Sequence, residues 1–117
     1  MNKLRHILSL ILVFVFASCS VAQTEVSSTN KKAIKLFNEG KGYYDARNNE
    51  LAELSFLEAL EKDPNFVEAE LLLAYVYTDA RMYKKALLHY ERCIEINPEF
   101  FPEVYSSTGI LQLKFGM

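Results

Sequence analysis

Shifted against itself by 34 residues, the chain pairs Asp45-Ala46-Arg47 with Asp79-Ala80-Arg81, Ala52 with Ala86 and Pro64 with Pro98. The same offset keeps character at Tyr43 and Tyr77, Phe56 and Tyr90, Ala59 and Cys93, Leu60 and Ile94, and Phe66 and Phe100. It also repeats the punctuation, EKDPNF at residues 61 to 66 and EINPEF at residues 95 to 100. A period of this length holds one pair of helices and two turns, and one such pair cannot bury its apolar face alone. The expected fold is therefore all-α, an α-solenoid of antiparallel helix pairs.

Apolar spacing predicts a first helix over roughly 31 to 45 and a second over roughly 50 to 62, with Asn49 as its cap and Ala52, Phe56, Ala59 and Leu60 on its inner face. Asp63-Pro64 ends it. Asn65 followed by Glu68 reads as a capping box for a third helix reaching about Ala80. A fourth helix carries Ala86, Tyr90, Cys93 and Ile94 inward, and Pro102 opens a fifth over roughly 102 to 115. A glycine inside a helix costs about 1 kcal/mol against alanine, so Gly40 marks a close helix crossing, with Ala52 expected to face it and Tyr43 and Phe56 filling the space beyond. The chain divides into a first unit at 31–64, a second at 65–98 and a partial third or capping helix at 99–117.

The first 22 residues follow a different logic. Lys3 and Arg5 precede the uncharged apolar run from Ile7 to Phe16 and the small-residue stretch from Ala17 to Ala22, the order of an export signal. The run is about half of the roughly 20 residues that a spanning helix needs. Two cleavage sites fit. Ser20-Val21-Ala22 before Gln23 suits ordinary signal peptidase, giving a signal at 1–22; Phe16-Ala17-Ser18-Cys19 resembles a bacterial lipobox with Phe16 in place of the usual Leu, giving a signal at 1–18 and lipid on Cys19. The expected location is the bacterial cell envelope, free in the periplasm or held on a membrane. Residues 23–30, QTEVSSTN, lack apolar periodicity and read as a flexible tether.

Processing at either site leaves 11 basic and 15 acidic residues and moves the formal charge from −2 to −4, which does not suit nucleic acid. Two cysteines, Cys19 and Cys93, do not make a disulfide framework.

These residues resemble the tetratricopeptide repeat family. Gly40, Tyr43, Ala52, Phe56, Ala59 and Pro64 match its signature in the first unit, with Leu36 where Trp is common and Glu39 where Leu is usual. In the second unit Leu73, Ala74, Tyr77, Ala86, Tyr90, Cys93 and Pro98 match by type, while Glu70 departs from the aromatic. Tyr105, Gly109 and Leu113 to Gly116 look like the first helix of a third unit, set one residue late. Gly116-Met117 falls where such a unit would turn into its second helix, so the sequence is also compatible with a piece of a longer array.

The resemblance implies that the first helix of each unit lines a concave groove holding a protein or peptide. Off the packing seam on those helices lie Ile34, Phe37, Lys41, Tyr44 and Asp45, then Glu68, Leu71, Tyr75, Thr78 and Asp79, then Ser106, Ile110 and Lys114; the partner-binding set is Phe37, Lys41, Tyr44, Leu71, Tyr75, Thr78 and Ile110. Family members that grip the acidic tails of heat-shock chaperones carry Lys and Asn along this groove, a pattern that Phe37, Lys41, Leu71 and Tyr75 do not reproduce. Self-association through the groove or the end of the stack is the alternative use.

Chemistry has little to work with. His89 and Cys93 stand four apart, a metal-pair spacing, yet Cys93 occupies the seam position of Ala59, which leaves His89 as a surface imidazole. Glu50, Glu53, Glu58 and Glu61 form a solvated helix face, and there is no P-loop, dinucleotide turn or nucleophile elbow. No enzyme, cofactor or metal is expected.

Overall fold

The computed structural model describes residues 25–100 and 102–116, with the side chains of 102–105 and 113–115 left aside; the segment expected to be an export signal, with Cys19, lies outside the described residues. Five helices follow one another: α1 (Lys31–Asp45), α2 (Asn49–Lys62), α3 (Val67–Asp79), α4 (Tyr83–Ile96) and α5 (Pro102–Phe115). Helices α1 and α2 pack as one hairpin and α3 and α4 as the next, while α2 contacts α3, α4 contacts α5 and α1 touches α3. This is the expected solenoid of helix pairs. No described helix is long and apolar enough to cross a membrane.

The small seam residues Ala33, Ala52, Ala59, Ala69, Ala74 and Ala86 are fully buried and let the helices approach closely. Aromatic rings fill the space between them. A Cβ on Gly40 would lie 2.7 Å from Phe56 Cε1, so the glycine admits the Phe56 ring rather than Ala52. Phe37 stacks obliquely on Phe56 and Phe66, with centroids 5.9 and 4.7 Å apart. Tyr43 is 38 % exposed, whereas its counterpart Tyr77 is buried and donates its hydroxyl to Glu53 of the preceding hairpin at 2.8 Å. Tyr43 has no such hairpin beside it among the described residues.

Two helix starts and the register of the fifth helix depart from expectation. Asn48, not Asn49, caps α2, its side chain accepting from the Leu51 N–H at 3.2 Å. No capping box forms at α3. Its N-cap is Phe66 without a side-chain bond, and the carboxylate of Asp63 takes the Asn65 N–H at 3.1 Å. Asn65 is thus held inside an Asx turn, and Glu68 is engaged elsewhere. In the fifth helix the period of 34 continues without a shift, because Thr108 and Leu111 are buried at the places of Ala74 and Tyr77 while Gly109 meets nothing within 4 Å.

Residues 25–30 are not the loose tether expected of their composition. Asn30 caps α1 by accepting from the Lys32 and Ala33 N–H groups, both at 3.0 Å, and its amide reaches the Lys62 carbonyl at 3.3 Å. Ser28 is buried and Val26 packs against the core. Ser27 donates its N–H to Glu68 Oε1 at 2.8 Å and its hydroxyl to Glu68 Oε2. Specific polar partners hold a segment that apolar burial alone would not.

Candidate functional site

Residues 41, 44 and 45 on α1 and 75, 78 and 79 on α3 stand at equal places one repeat apart, which sets the two helices side by side along one face. Tyr44 links them, donating its hydroxyl to Asp79 Oδ2 at 2.8 Å. Burial first, then the bond to Asp79 and its negative charge, push the Tyr44 phenol up to about 12, so it stays a neutral donor. Tyr75 sets its ring edge-on to Tyr90, centroids 6.1 Å apart. Thr78 donates back to the Ala74 carbonyl at 2.9 Å, and its hydroxyl lies 3.4 Å from that of Tyr90.

Two shallow hollows lie along this face. One of about 220 Å³ is lined by Tyr44, Asp45 and Arg47, and one of about 170 Å³ by Thr78, Tyr90, Ser107, Ile110 and Leu111. Each falls below the few hundred cubic ångströms usual for an enclosed small-molecule site. Side chains of an extended segment fit such hollows better. A larger recess of about 420 Å³ lies apart, on the outer flank of α1 beside Lys31, Lys32, Lys35, Leu36 and Glu39.

Of the seven residues expected to line the groove, five are accessible there. Lys41 is exposed, with Nζ 5.7 Å from the Phe37 ring centroid; Tyr44, Tyr75 and Thr78 are half-buried; Ile110 is 62 % exposed at the rim of the second hollow. Phe37 and Leu71 are not accessible. Phe37 is 4 % exposed between Phe56 and Phe66, and Leu71 is 6 % exposed within the same core, so both hold the fold together instead. Tyr90 is buried in the seam, 3 % exposed, as its spacing predicts, and it also lines the second hollow. The signal was present: Phe56 in the first unit becomes a tyrosine in the second, and a buried hydroxyl needs a polar neighbour.

His89 is no surface imidazole. Its Nδ1 lies 2.6 Å from Glu70 Oε2, and its ring stacks on Tyr77 with centroids 5.3 Å apart. Lys85 Nζ sits 5.3 Å from the Tyr77 centroid on the same patch. Glu70, at the position where an aromatic was expected, is thereby buried with a partner. Cys93 lies beneath, its thiol pushed up to about 12 by burial and then by the charge of Glu70, which makes it a poor nucleophile. Among the described residues no three His, Cys, Asp or Glu side chains form a group that could hold a metal ion.

Residues 67–100 match the tetratricopeptide repeat family model, two residues later than the unit boundaries drawn from sequence. The fold is similar to the first TPR of Spaghetti (RPAP3) bound to the HSP90 peptide SRMEEVD, with a TM-score of 0.67 and 17 % identity over 74 % of this chain and 70 % of that one. It is also similar to the MamA protein, TM-score 0.69 and 23 % identity over 75 % of this chain and 48 % of that one. The TPR2B domain of yeast Sti1, in a complex with pHsp70, gives a TM-score of 0.65 at 20 % identity over 72 % and 66 % of the two chains. No curated protein matches the sequence.

Proposed function

With a tetratricopeptide repeat at residues 67–100 and a helix pair of the same build at residues 31–64, we propose that the chain is a protein-interaction scaffold holding an extended peptide segment along α1 and α3. The observation that carries this reading is the row of accessible groups Lys41, Tyr44, Tyr75, Thr78 and Ile110, flanked by two shallow hollows and standing on helices whose seam residues are fully packed. Aromatic and polar groups fixed on rigid helices supply contact area at little entropic cost. Peptide binding by the similar RPAP3 domain supports the reading in kind; an acidic chaperone tail is not the ligand expected here, because the Lys and Asn pattern is absent.

Tyr75 is the anchor to test. Cutting a central aromatic anchor to alanine often costs 2 kcal/mol or more, so Tyr75→Ala weakens partner binding by roughly thirty-fold or more. Lys41→Glu acts chiefly on association rate and salt response. A Tyr75→Ala protein that folds normally and binds as tightly as the parent removes the face from consideration.

The same proposal places the protein in the bacterial envelope. Lys3, Arg5, the run from Ile7 to Phe16 and Cys19 support export with a lipid anchor. Intact-mass analysis of protein taken from membranes then finds residues 1 to 18 missing and acyl chains on Cys19. A soluble form starting at Gln23 ends the anchor but keeps export, and an unprocessed N-terminus ends both.

A further inference from the structure

Glu68 does not serve its own helix. It stands in the first turn of α3, where a carboxylate would reach back to cap the free N–H groups, yet α3 begins without a side-chain cap. Both carboxylate oxygens instead receive donors from one residue 41 positions earlier, the N–H and the hydroxyl of Ser27. A carboxylate accepts and never donates when ionised, and bonds to it are stronger than neutral ones. Only Ser and Thr offer a backbone N–H and a β-hydroxyl together at this reach.

Position also matters. Glu68 precedes Tyr75 by seven residues, two helical turns, and so shares the α3 face proposed for the partner. That face is closed at Leu71, 6 % exposed, and opens at Tyr75 and Thr78. Val26 packs on the core that contains Leu71, while Ser27 and Thr29 remain exposed. The segment therefore lies across the closed half of the face, held by Val26 on the core, the buried Ser28 and the two bonds from Ser27 to Glu68.

We propose that Glu68 forms a second subsite of the groove, which reads a Ser or Thr preceded by an apolar residue in an extended segment, and that Val26-Ser27 is the chain's own occupant of it. This inference rests on the groove reading above. A partner segment of the same pattern displaces residues 25–29 and extends the bound length from Thr78 to Glu68. The tethered occupant competes at an effective concentration in the millimolar range, so segments that lack the pattern stay confined to the lower half.

The test uses the full chain and a labelled peptide of residues 23–30, QTEVSSTN. Ser27→Pro in the chain removes both donors and frees Glu68, and Ser27 is exposed and outside any helix, so the fold is retained; a melting curve checks this. The free peptide is expected to bind the Ser27→Pro chain saturably at about millimolar concentration, and about twofold more weakly to the parent, whose own segment fills the subsite at a similar effective concentration. Replacing the peptide's first serine by alanine, or adding Glu68→Ala to the Ser27→Pro chain, weakens binding at least fivefold, the effect of losing one bond to a charged acceptor. Equal binding to parent and Ser27→Pro chains, no saturation in a folded Ser27→Pro chain, or indifference to the alanine peptide overturns the subsite. None of these outcomes touches Tyr75, so the groove reading stands or falls separately, on the Tyr75→Ala measurement.

Discussion

Two glycines on α1 carry opposite instructions. A Cβ on Gly40 would sit 2.7 and 2.8 Å from the fully buried Phe56 ring, whereas Gly42 meets nothing within 4 Å. Gly40→Ala is expected to destabilise by about 1 kcal/mol or more, because overpacking outweighs a helix-propensity gain of about 1 kcal/mol. Gly42→Ala is expected to stabilise by about 0.5–1 kcal/mol. Urea midpoints at constant slope separate the two. The need for a glycine at 40 was legible from its place in a helix; its partner was not, since spacing along a chain does not fix how one helix rotates against another. Ionisation adds a test at the same scale. The Tyr44 phenol is raised from 10.0 to about 12 and the Cys93 thiol from 9.0 to about 12, so folding favours the neutral forms of both. Their contribution is complete below about pH 9 and is lost as pH climbs from there towards 12. Melting temperature should fall through that window, and a Tyr44→Phe, Cys93→Ala double variant should fall less steeply. A flat profile in the parent contradicts the assignment.

Among the elements, the turns inside each hairpin hold the clearest conflict between sequence and backbone. Arg47 and Arg81, one repeat apart, both adopt left-handed backbone angles, φ 63° and 59°, directly after the last residue of the helix cap. Glycine is the usual residue in that conformation, and an L side chain there costs about 1 kcal/mol or more. Arg47→Gly and Arg81→Gly are each expected to stabilise by about 1 kcal/mol, read by the same urea titration. Loss of stability in either would mean that the arginine side chain makes a contact worth more than the strain. Asn48→Ala, by contrast, removes the α2 cap and costs about 1 kcal/mol, while Asn65→Ala stays within about 0.5 kcal/mol because Asn65 contributes only its N–H to the Asp63 turn. The ends of helices were legible to within a residue or two. Which asparagine caps was not, because Asn48 and Asn49 are chemically alike and the turn geometry alone chooses between them.

At the scale of the molecule, the stack is joined by polar links that no periodicity reveals. Tyr77 reaches back to Glu53, Tyr44 reaches forward to Asp79, and Glu68 holds Ser27. The 34-residue repeat made the solenoid legible because small and aromatic seam residues recur at fixed places. Of the seven residues assigned to the face of the first helices, five are accessible. Phe37 and Leu71 were misplaced because a helix pair gives no sign, in sequence, of how far the core spreads around each helix. The face of α1 and α3 is the proposed seat of the partner. It is tested most directly by a photo-activatable phenylalanine at position 75 and, separately, at position 88 on α4, where Leu88 is 61 % exposed. Irradiated in the cells that express it, the protein should yield a partner adduct from position 75 and none from position 88. An adduct from position 88 alone would rule out this face and move the binding surface to the second helices of the repeats.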